Sequence, residues 1–479
     1  MSIIIPANSA VGGGFEATNG LRFDQGSSAY LKRSLGTTTS QQKGTFSYWV
    51  KRSDLGDAQQ IYSNEVANDN NRGYISFESN DSWRSVIVAS GSTEIVVKTN
   101  RLFRDVSAWY HIVVRIDTTQ STSTNRLRLY VNGVQETSFE TYQICDQNAT
   151  LKIFEGGQTN KNLIGGIYAS GSASNYLGGY LSEFVYCDGQ TLDPTSFGEF
   201  DEDSGVWKAI NVSGLTFGNM GFYLDFEDSS ALGNDAAGSN NWSLVNLTAI
   251  DQTTDTCTNN FATVNSLDNF YEASTFSEGN LKIVTESGDY SYNTSTIGLS
   301  SGKWYCEVFV EGSPTGNASI IGIAGRMSEA SLGFLGGYLD TYGFYGANGN
   351  MYNIGGNGVT SYGSGYGVNS VIGIYMDLDN NKLYFAINGS IQNSGTGYTI
   401  LAPNLTKAGF YFPAAADNYN GSSGTFRLNF GNPIYALSSA NTDVNGYGSF
   451  EYDPSSGTFD GASKDFLAIC TKNLSEVNS

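Results

Sequence analysis

The chain has 479 residues, 46 of them acidic and 25 basic, giving a net charge of −21. A surface so acidic repels phosphate backbones, which argues against nucleic acid as a partner, and no stretch reaches the apolar length of a membrane span. Glycine is abundant at 58 and proline scarce at 7, beside 30 tyrosines and 27 phenylalanines, a mixture poor for helices and suited to many short strands joined by tight turns.

At this length two or three separate cores are expected. Residues 1–15 read as an N-terminal arm ending in the flexible Gly12-Gly-Gly14. The opening Met1-Ser-Ile-Ile-Ile-Pro6 has neither a basic n-region nor a sufficient apolar run, so no secretory signal is expected. Five cysteines (Cys145, Cys187, Cys257, Cys306, Cys470) are an odd number at wide spacings without a CxxC pair. That pattern speaks against zinc and against a disulfide framework, and for synthesis in a reducing compartment. Cys306 sits inside a predicted strand and reads as a small buried apolar residue.

From Leu21 to about Asp201 strand follows strand, through Phe46-Ser-Tyr-Trp-Val50, Tyr74-Ile-Ser-Phe77, Ser85-Val-Ile-Val88 and Glu94-Ile-Val-Val97. The most informative feature is then a sentence written twice. Trp109-Tyr-His-Ile-Val-Val-Arg-Ile-Asp117 precedes Leu127-Arg-Leu-Tyr-Val-Asn-Gly133, and Val371-Ile-Gly-Ile-Tyr-Met-Asp-Leu-Asp379 precedes Leu383-Tyr-Phe-Ala-Ile-Asn-Gly389. Alternating apolar residues make a sheet face, and Asn-Gly accepts the positive φ angles of a tight hairpin turn. Two copies predict two sandwich lobes of one architecture, with Ile112, Val114, Leu129, Ile372, Ile374 and Phe385 in their cores.

The first lobe, 16–209, resembles the laminin-G-like, concanavalin A-type family. The matching residues are Gly20-Leu-Arg-Phe23, Trp109-Tyr-His-Ile-Val-Val114, Leu129-Tyr-Val-Asn-Gly133 and the closing Gly179-Tyr-Leu-Ser-Glu-Phe-Val-Tyr186. Residues 210–262 change character: isolated aromatics (Phe222, Phe226, Trp242) stand among small polar residues, and the segment reads as an ordered connector. The second lobe, 263–435, resembles the SPRY (B30.2-like) family. Its evidence is Ser301-Gly-Lys-Trp-Tyr-Cys-Glu-Val308, Ile321-Gly-Ile-Ala324, Tyr342-Gly-Phe-Tyr345, the second hairpin, and Phe426-Arg-Leu-Asn-Phe-Gly431. One departure is Asn369, where that family commonly has an acidic residue. A tail, 436–479, carries one more expected strand around Phe466-Leu-Ala-Ile469. The fold class is therefore all-β: two antiparallel, jelly-roll or concanavalin-like β-sandwiches joined by an ordered connector.

Few residues offer catalysis. His111 is the one histidine, shares a strand face with Trp109 and Val113, and reads as structural, so a Ser-His-Asp or Cys-His system lacks parts. Glycosidases need two facing carboxyl groups. Glu199-Phe-Asp-Glu-Asp203 comes nearest, with Glu199, Asp201 and Asp203 in alternation, but its Gly and Ser neighbours favour a solvated acidic loop. No catalytic residue is assigned and the chain is read as a non-enzyme. Calcium is held open as a cofactor, with Asp225, Glu227, Asp228 and Asp235 as oxygen donors but no fixed loop to order them.

The distinctive surface candidate is Gly333–Gly367, where Tyr338, Tyr342, Tyr345, Tyr352, Tyr362 and Tyr366 stand among Gly, Asn and Ser. Tyrosine beside small hydrogen-bonding residues is the composition of adaptable recognition surfaces. Some of these tyrosines are expected in the core. The tips Gly346-Ala-Asn-Gly349 and Gly355-Gly-Asn-Gly358 are expected exposed, and Tyr345, Asn348, Tyr352 and Asn353 are the candidate contact residues.

The two-lobe plan, with Leu21-Arg-Phe-Asp24, Ser47-Tyr-Trp-Val-Lys-Arg52 and Ala468-Ile-Cys-Thr-Lys-Asn-Leu474, resembles virion surface proteins of tailed, particularly marine, bacteriophages. That resemblance implies a tail fibre or receptor-binding protein on the virion exterior, made in the host cytoplasm. Its implied partners are other virion proteins and a host-surface glycan or protein, and it implies a homo-oligomer such as a trimer. Capsid decoration or a structural connector is the alternative, and a glycan-cleaving enzyme the least favoured.

Overall fold

The structure is a computed structural model that describes residues 14–66, 68–156, 159–269, 273–288, 290, 292–327, 333–417 and 421–477. The arm read at residues 1–15 lies outside the described residues except for its last two. Two compact units meet in sequence at Thr258 and Asn259.

In the first unit, two eight-stranded sheets are formed among the described residues. One runs Val134–Gln135, Leu127–Val131, Trp109–Asp117, Lys43–Arg52, Gly179–Asp188, Gly20–Phe23 and Gln252–Thr253, with Phe222–Leu224 also pairing Gly179–Asp188. The other runs Phe139–Gln143, Ser92–Leu102, Ser82–Ala89, Arg72–Phe77, Gln59–Glu65, Asn162–Ile164, Tyr30–Arg33 and Ser243–Val245. One continuous core draws on both: Phe46, Tyr48, Ile112, Val114 and Leu129 from the first, Ile61, Ile75, Trp83 and Ile87 from the second. Each such aliphatic side chain contributes roughly 1.5–3 kcal/mol on burial. Trp83 keeps its indole N–H satisfied by donating to Tyr48 Oη at 3.0 Å.

The second unit repeats the plan. Its larger sheet runs Thr275–Ser277, Lys282–Val284, Thr425–Asn429, Lys303–Gly312, Val371–Asp377, Lys382–Ile387 and Ser390–Ile391. The facing sheet runs Tyr292–Thr294, Phe412–Asp417, Ser319–Ala324, Thr341–Tyr345, Asn350–Asn353 and Gly358–Ser361. Ile372, Ile374, Phe385, Ile321, Phe344 and Met351 fill the space between them. All six expected core residues are fully buried.

The doubled sentence is built twice with the same bonds. Asn132 and Gly133 take φ of 48° and 77°, Asn388 and Gly389 take 49° and 75°. These positive φ values at both central residues are what a two-residue hairpin loop demands. In each copy the Asn side-chain oxygen accepts a backbone N–H of the preceding strand at 2.8 Å, from His111 in one and Val371 in the other. The Asp that closes the first strand also recurs: Asp117 accepts the Thr119 N–H and hydroxyl, Asp377 the Asn380 N–H.

Two segments are integrated more closely than expected. Within 210–262, expected as an ordered connector, Phe222–Leu224, Ser243–Val245 and Gln252–Thr253 each add a strand to the first unit. Phe222, Leu224, Phe226 and Trp242 join its core. In the tail, 436–479, the expected strand forms, and the segment before it packs on the second unit. Phe450, Phe459 and Phe466 pack on Tyr305, Tyr375 and Tyr384, on the face of the larger sheet opposite the core. Leu467–Ala468 adds a parallel strand beside Lys303–Gly312, and a short helix follows at Thr471–Val477. The buried Glu307 carboxylate fixes this cover by accepting the N–H groups of Glu451 and Tyr452 at 3.0 and 2.8 Å.

Candidate recognition surface

The side chains that suggested chemistry are absorbed by structure. His111 lies buried between Trp49 and Trp207, with ring centroids 4.6 and 5.9 Å away. Trp207 Nε1–H donates to His111 Nδ1 at 2.9 Å, so the proton sits on Nε2, which faces Ser47 Oγ at 2.8 Å. Burial lowers its pKa to about 3, leaving a neutral ring with both nitrogens engaged.

Glu199 stands on a strand, not in the expected loop: Gly198–Phe200 pairs with Trp207–Ala209. Lys208 Nζ reaches Glu199 at 3.3 Å and Asp201 at 3.2 Å. The Ser204 N–H and hydroxyl, with Lys208, hold the Asp201 carboxyl down at about 2. A group so acidic is unsuited to act as a general acid near neutrality.

The four calcium candidates are spent separately. Asp235 Oδ1 accepts the N–H of Tyr223 and Ala237, and its Oδ2 that of Asn240. Asp228 holds Ser230, Asp225 accepts the Glu227 N–H, and Glu227 takes the Thr18 hydroxyl. Among the described residues no group of three or more His, Cys, Asp or Glu side chains is placed to hold a metal ion.

The tyrosine-rich stretch behaves differently. It folds as three antiparallel strands, Thr341–Tyr345, Asn350–Asn353 and Gly358–Ser361, at one edge of the six-stranded sheet. Alternation sends successive side chains to opposite faces. Tyr342, Phe344 and Met351 point inward, and Tyr362 and Tyr366 are core as well. Tyr345 and Tyr352 point the other way and stay half-buried. Their rings meet edge to face at 5.1 Å, Phe334 stands 6.1 Å from Tyr352, and Tyr290 stands 5.5 Å from Phe334. Burial, then the neighbouring Tyr352 and Tyr290, pushes the Tyr345 hydroxyl up, so it remains a neutral donor.

Small residues make room for this cluster. Gly343 pairs with Gly322, and Gly322 with Ala414, forming a shallow trough across three strands. Leu335 packs with Ile320 and Ala414 above it, and a Cβ on Gly343 would come within 2.6 Å of the Leu335 carbonyl oxygen. Around the rings, Leu339, Ile354 and Val359 are about half exposed, at 50, 52 and 47%. Asn348 is exposed at the tip of the first turn.

Asn353, also expected at the surface, is only 1% exposed. Its Nδ2 donates to the carbonyls of Tyr338, Leu339 and Thr341 at 2.9–3.0 Å, and its Oδ1 accepts the Asn357 N–H. It shapes the loop and contacts nothing outside it. Phe334 and Tyr290 are not among the expected contact residues: Tyr290 lies outside the Gly333–Gly367 window in sequence. Phe334, between Gly333 and Leu335 in that window, was legible as one more aromatic among glycines.

Comparison with known families matches residues 24–187 to the concanavalin A-like lectin/glucanases superfamily and residues 303–432 to the SPRY domain. These two segments are similar to a concanavalin A-like domain and to a SPRY domain. No match is found among curated proteins. Solved structures similar to parts of the chain include the SPRY domain of human HERC1, 14% identical, with 31% of this chain and 87% of that one covered at a TM-score of 0.25. A putative carbohydrate-binding protein from Bacteroides ovatus is 14% identical over 49% of this chain at a TM-score of 0.33, and the match spans 61% of that protein. The CBM40 of the Ruminococcus gnavus IT-sialidase, bound to α2,3-sialyllactose, is 15% identical, with 35% and 85% covered at a TM-score of 0.24. Phe334, Tyr345 and Tyr352 of the aromatic cluster lie within the SPRY-matched residues, and Tyr290 precedes them.

Proposed function

We propose that this chain is a non-enzymatic adhesion protein of a tailed-bacteriophage virion, a tail fibre or receptor-binding protein. In this reading it holds a host-surface glycan or protein through the outward aromatic face of its SPRY-like domain. The carrying observation is the half-buried cluster of Tyr345, Tyr352, Phe334 and Tyr290 beside the exposed Asn348. Rigid rings give contact area at low entropic cost, and nearby hydroxyl and amide groups supply orientation. Single contacts of this kind are weak, so useful affinity comes from repeated copies, as a homotrimer or higher assembly would present them. The other virion proteins anchor the chain, and the acidic surface keeps it off nucleic acid.

The virion assignment is tested by immunogold labelling of purified particles from a marine tailed phage that encodes this chain. Label at the tail tip or fibres is the expected result. Label spread over the capsid would replace adhesion with decoration.

A further inference from the structure

The strongest unabsorbed chemistry lies in the concanavalin A-like domain. Lys51 sits on strand Lys43–Arg52, where Val50 points into the core and Trp49 and Lys51 point to the opposite face. Its cross-strand neighbours are Trp109 on one side and Tyr180 on the other. Asp255, just past strand Gln252–Thr253, lies against that face. Lys51 Nζ is 2.7 Å from Asp255 Oδ2, and the two side chains are 1% and 0% exposed. The Trp109 indole N–H donates to the other carboxylate oxygen, Oδ1, at 3.0 Å. The Tyr180 ring centroid stands 5.6 Å from Nζ. A second carboxylate, Asp105, acts on the lysine charge, and its Oδ1 is held by the Ser107 N–H and hydroxyl at 2.9 and 2.6 Å.

Burying an ammonium and a carboxylate side by side is expensive, and one proton shift from Nζ to the carboxylate removes both charges. Burial lowers the Lys51 pKa, with Asp255 opposing, which favours the neutral amine. With that proton on the carboxylate, a neutral amine and a carboxylic acid stand in contact in a buried pocket lined by Trp109 and Tyr180.

We propose that Lys51 and Asp255 condense in the folded protein to an intramolecular isopeptide bond. The Nζ lone pair attacks Cγ of the protonated Asp255, and the C–N bond forms. Trp109 Nε1–H steadies the oxygen on which negative charge develops, as an oxyanion-hole donor does. The proton leaving the nitrogen passes to the departing hydroxyl, which it already touches, the C–O bond breaks, and one water leaves. No oxidant, metal or cofactor enters the balance. The fold supplies the rate by holding the partners in contact, which replaces a bimolecular encounter. The product joins positions 204 residues apart in sequence, from a central strand to the last strand segment of the domain. Like a disulfide closing a long loop, it would constrain the unfolded chain, in a protein whose five cysteines are all free. It is independent of the recognition reading above.

The test is intact-mass spectrometry of the full chain, purified folded and measured after denaturation. The expected mass is that of the sequence less one water, with trypsin failing to cut after Lys51 and a branched peptide joining the Lys51 and Asp255 segments. Lys51→Met and Asp255→Ala should restore the full mass of their own sequences. Asp255→Asn should lose ammonia instead of water and converge on the same product mass as the wild type. Wild-type protein at its full sequence mass, cut normally after Lys51 and yielding an unmodified Asp255 peptide, overturns the proposal without any variant.

Discussion

At His111 a single residue shows why chemistry-bearing side chains here are structural. Its two nitrogens satisfy Trp207 and Ser47, so His111→Phe should leave an indole N–H and a hydroxyl buried without partners. The expected loss is about 2 kcal/mol or more at pH 7, read by chemical denaturation. The folded pKa of about 3 lies below the unfolded value near 6.5. Between those limits the unfolded state binds the extra proton, so the neutral ring's contribution is complete above pH ~6.5 and fades as pH falls toward 3. The wild type's advantage over His111→Phe should therefore shrink steadily from pH 7 to pH 4. A constant difference would refute the buried neutral ring. The two asparagines of the aromatic loop should separate in the same way. Asn353→Ala removes the amide that ties the Tyr338, Leu339 and Thr341 carbonyls together and should cost roughly 1–3 kcal/mol, whereas Asn348→Ala, on an exposed turn, should stay within about 0.5 kcal/mol of wild type.

At the scale of elements, the strands were legible where periodicity and turn chemistry agreed. Both Asn-Gly hairpins and all six named core residues could be read directly, because one face of each strand had to be apolar. Legibility failed where a strand was short and its partner distant. Phe222–Leu224 spans three residues and pairs with Gly179–Asp188, a contact that no local pattern encodes, so the segment read as a connector. Its aromatics already required a place to bury. Likewise Asn353 and Tyr352 are adjacent, and composition alone could not tell the loop's internal staple from its outward ring. A chain ending at Ala209 should consequently fail to fold, while residues 12–258 should unfold cooperatively. Phe222→Ala within that piece should cost about 3–5 kcal/mol. Thermal melts followed by circular dichroism decide both. Cooperative folding of the chain ending at Ala209 would return residues 210–258 to the status of a connector.

For the whole molecule, two sandwich domains carry function on what their sheets leave uncovered, because packed strands allow little freedom elsewhere. In the SPRY-like domain the larger sheet's outer face is closed by the C-terminal segment around Phe450, Phe459 and Phe466. The facing sheet keeps Tyr345 and Tyr352 half-buried, with Phe334 beside Tyr352. Adhesion through that aromatic face is the central claim, and avidity is what makes it measurable. The most direct measurement is binding of the full chain, multimerised on a streptavidin scaffold, to a glycan array and to marine bacterial cells, beside Tyr345→Ala/Tyr352→Ala of verified thermal stability. Saturable wild-type binding that falls about tenfold or more in the double variant, ~1.4 kcal/mol, is the predicted result. Wild-type protein that binds no glycan and no cell, or a stable double variant that binds as well as wild type, would contradict it.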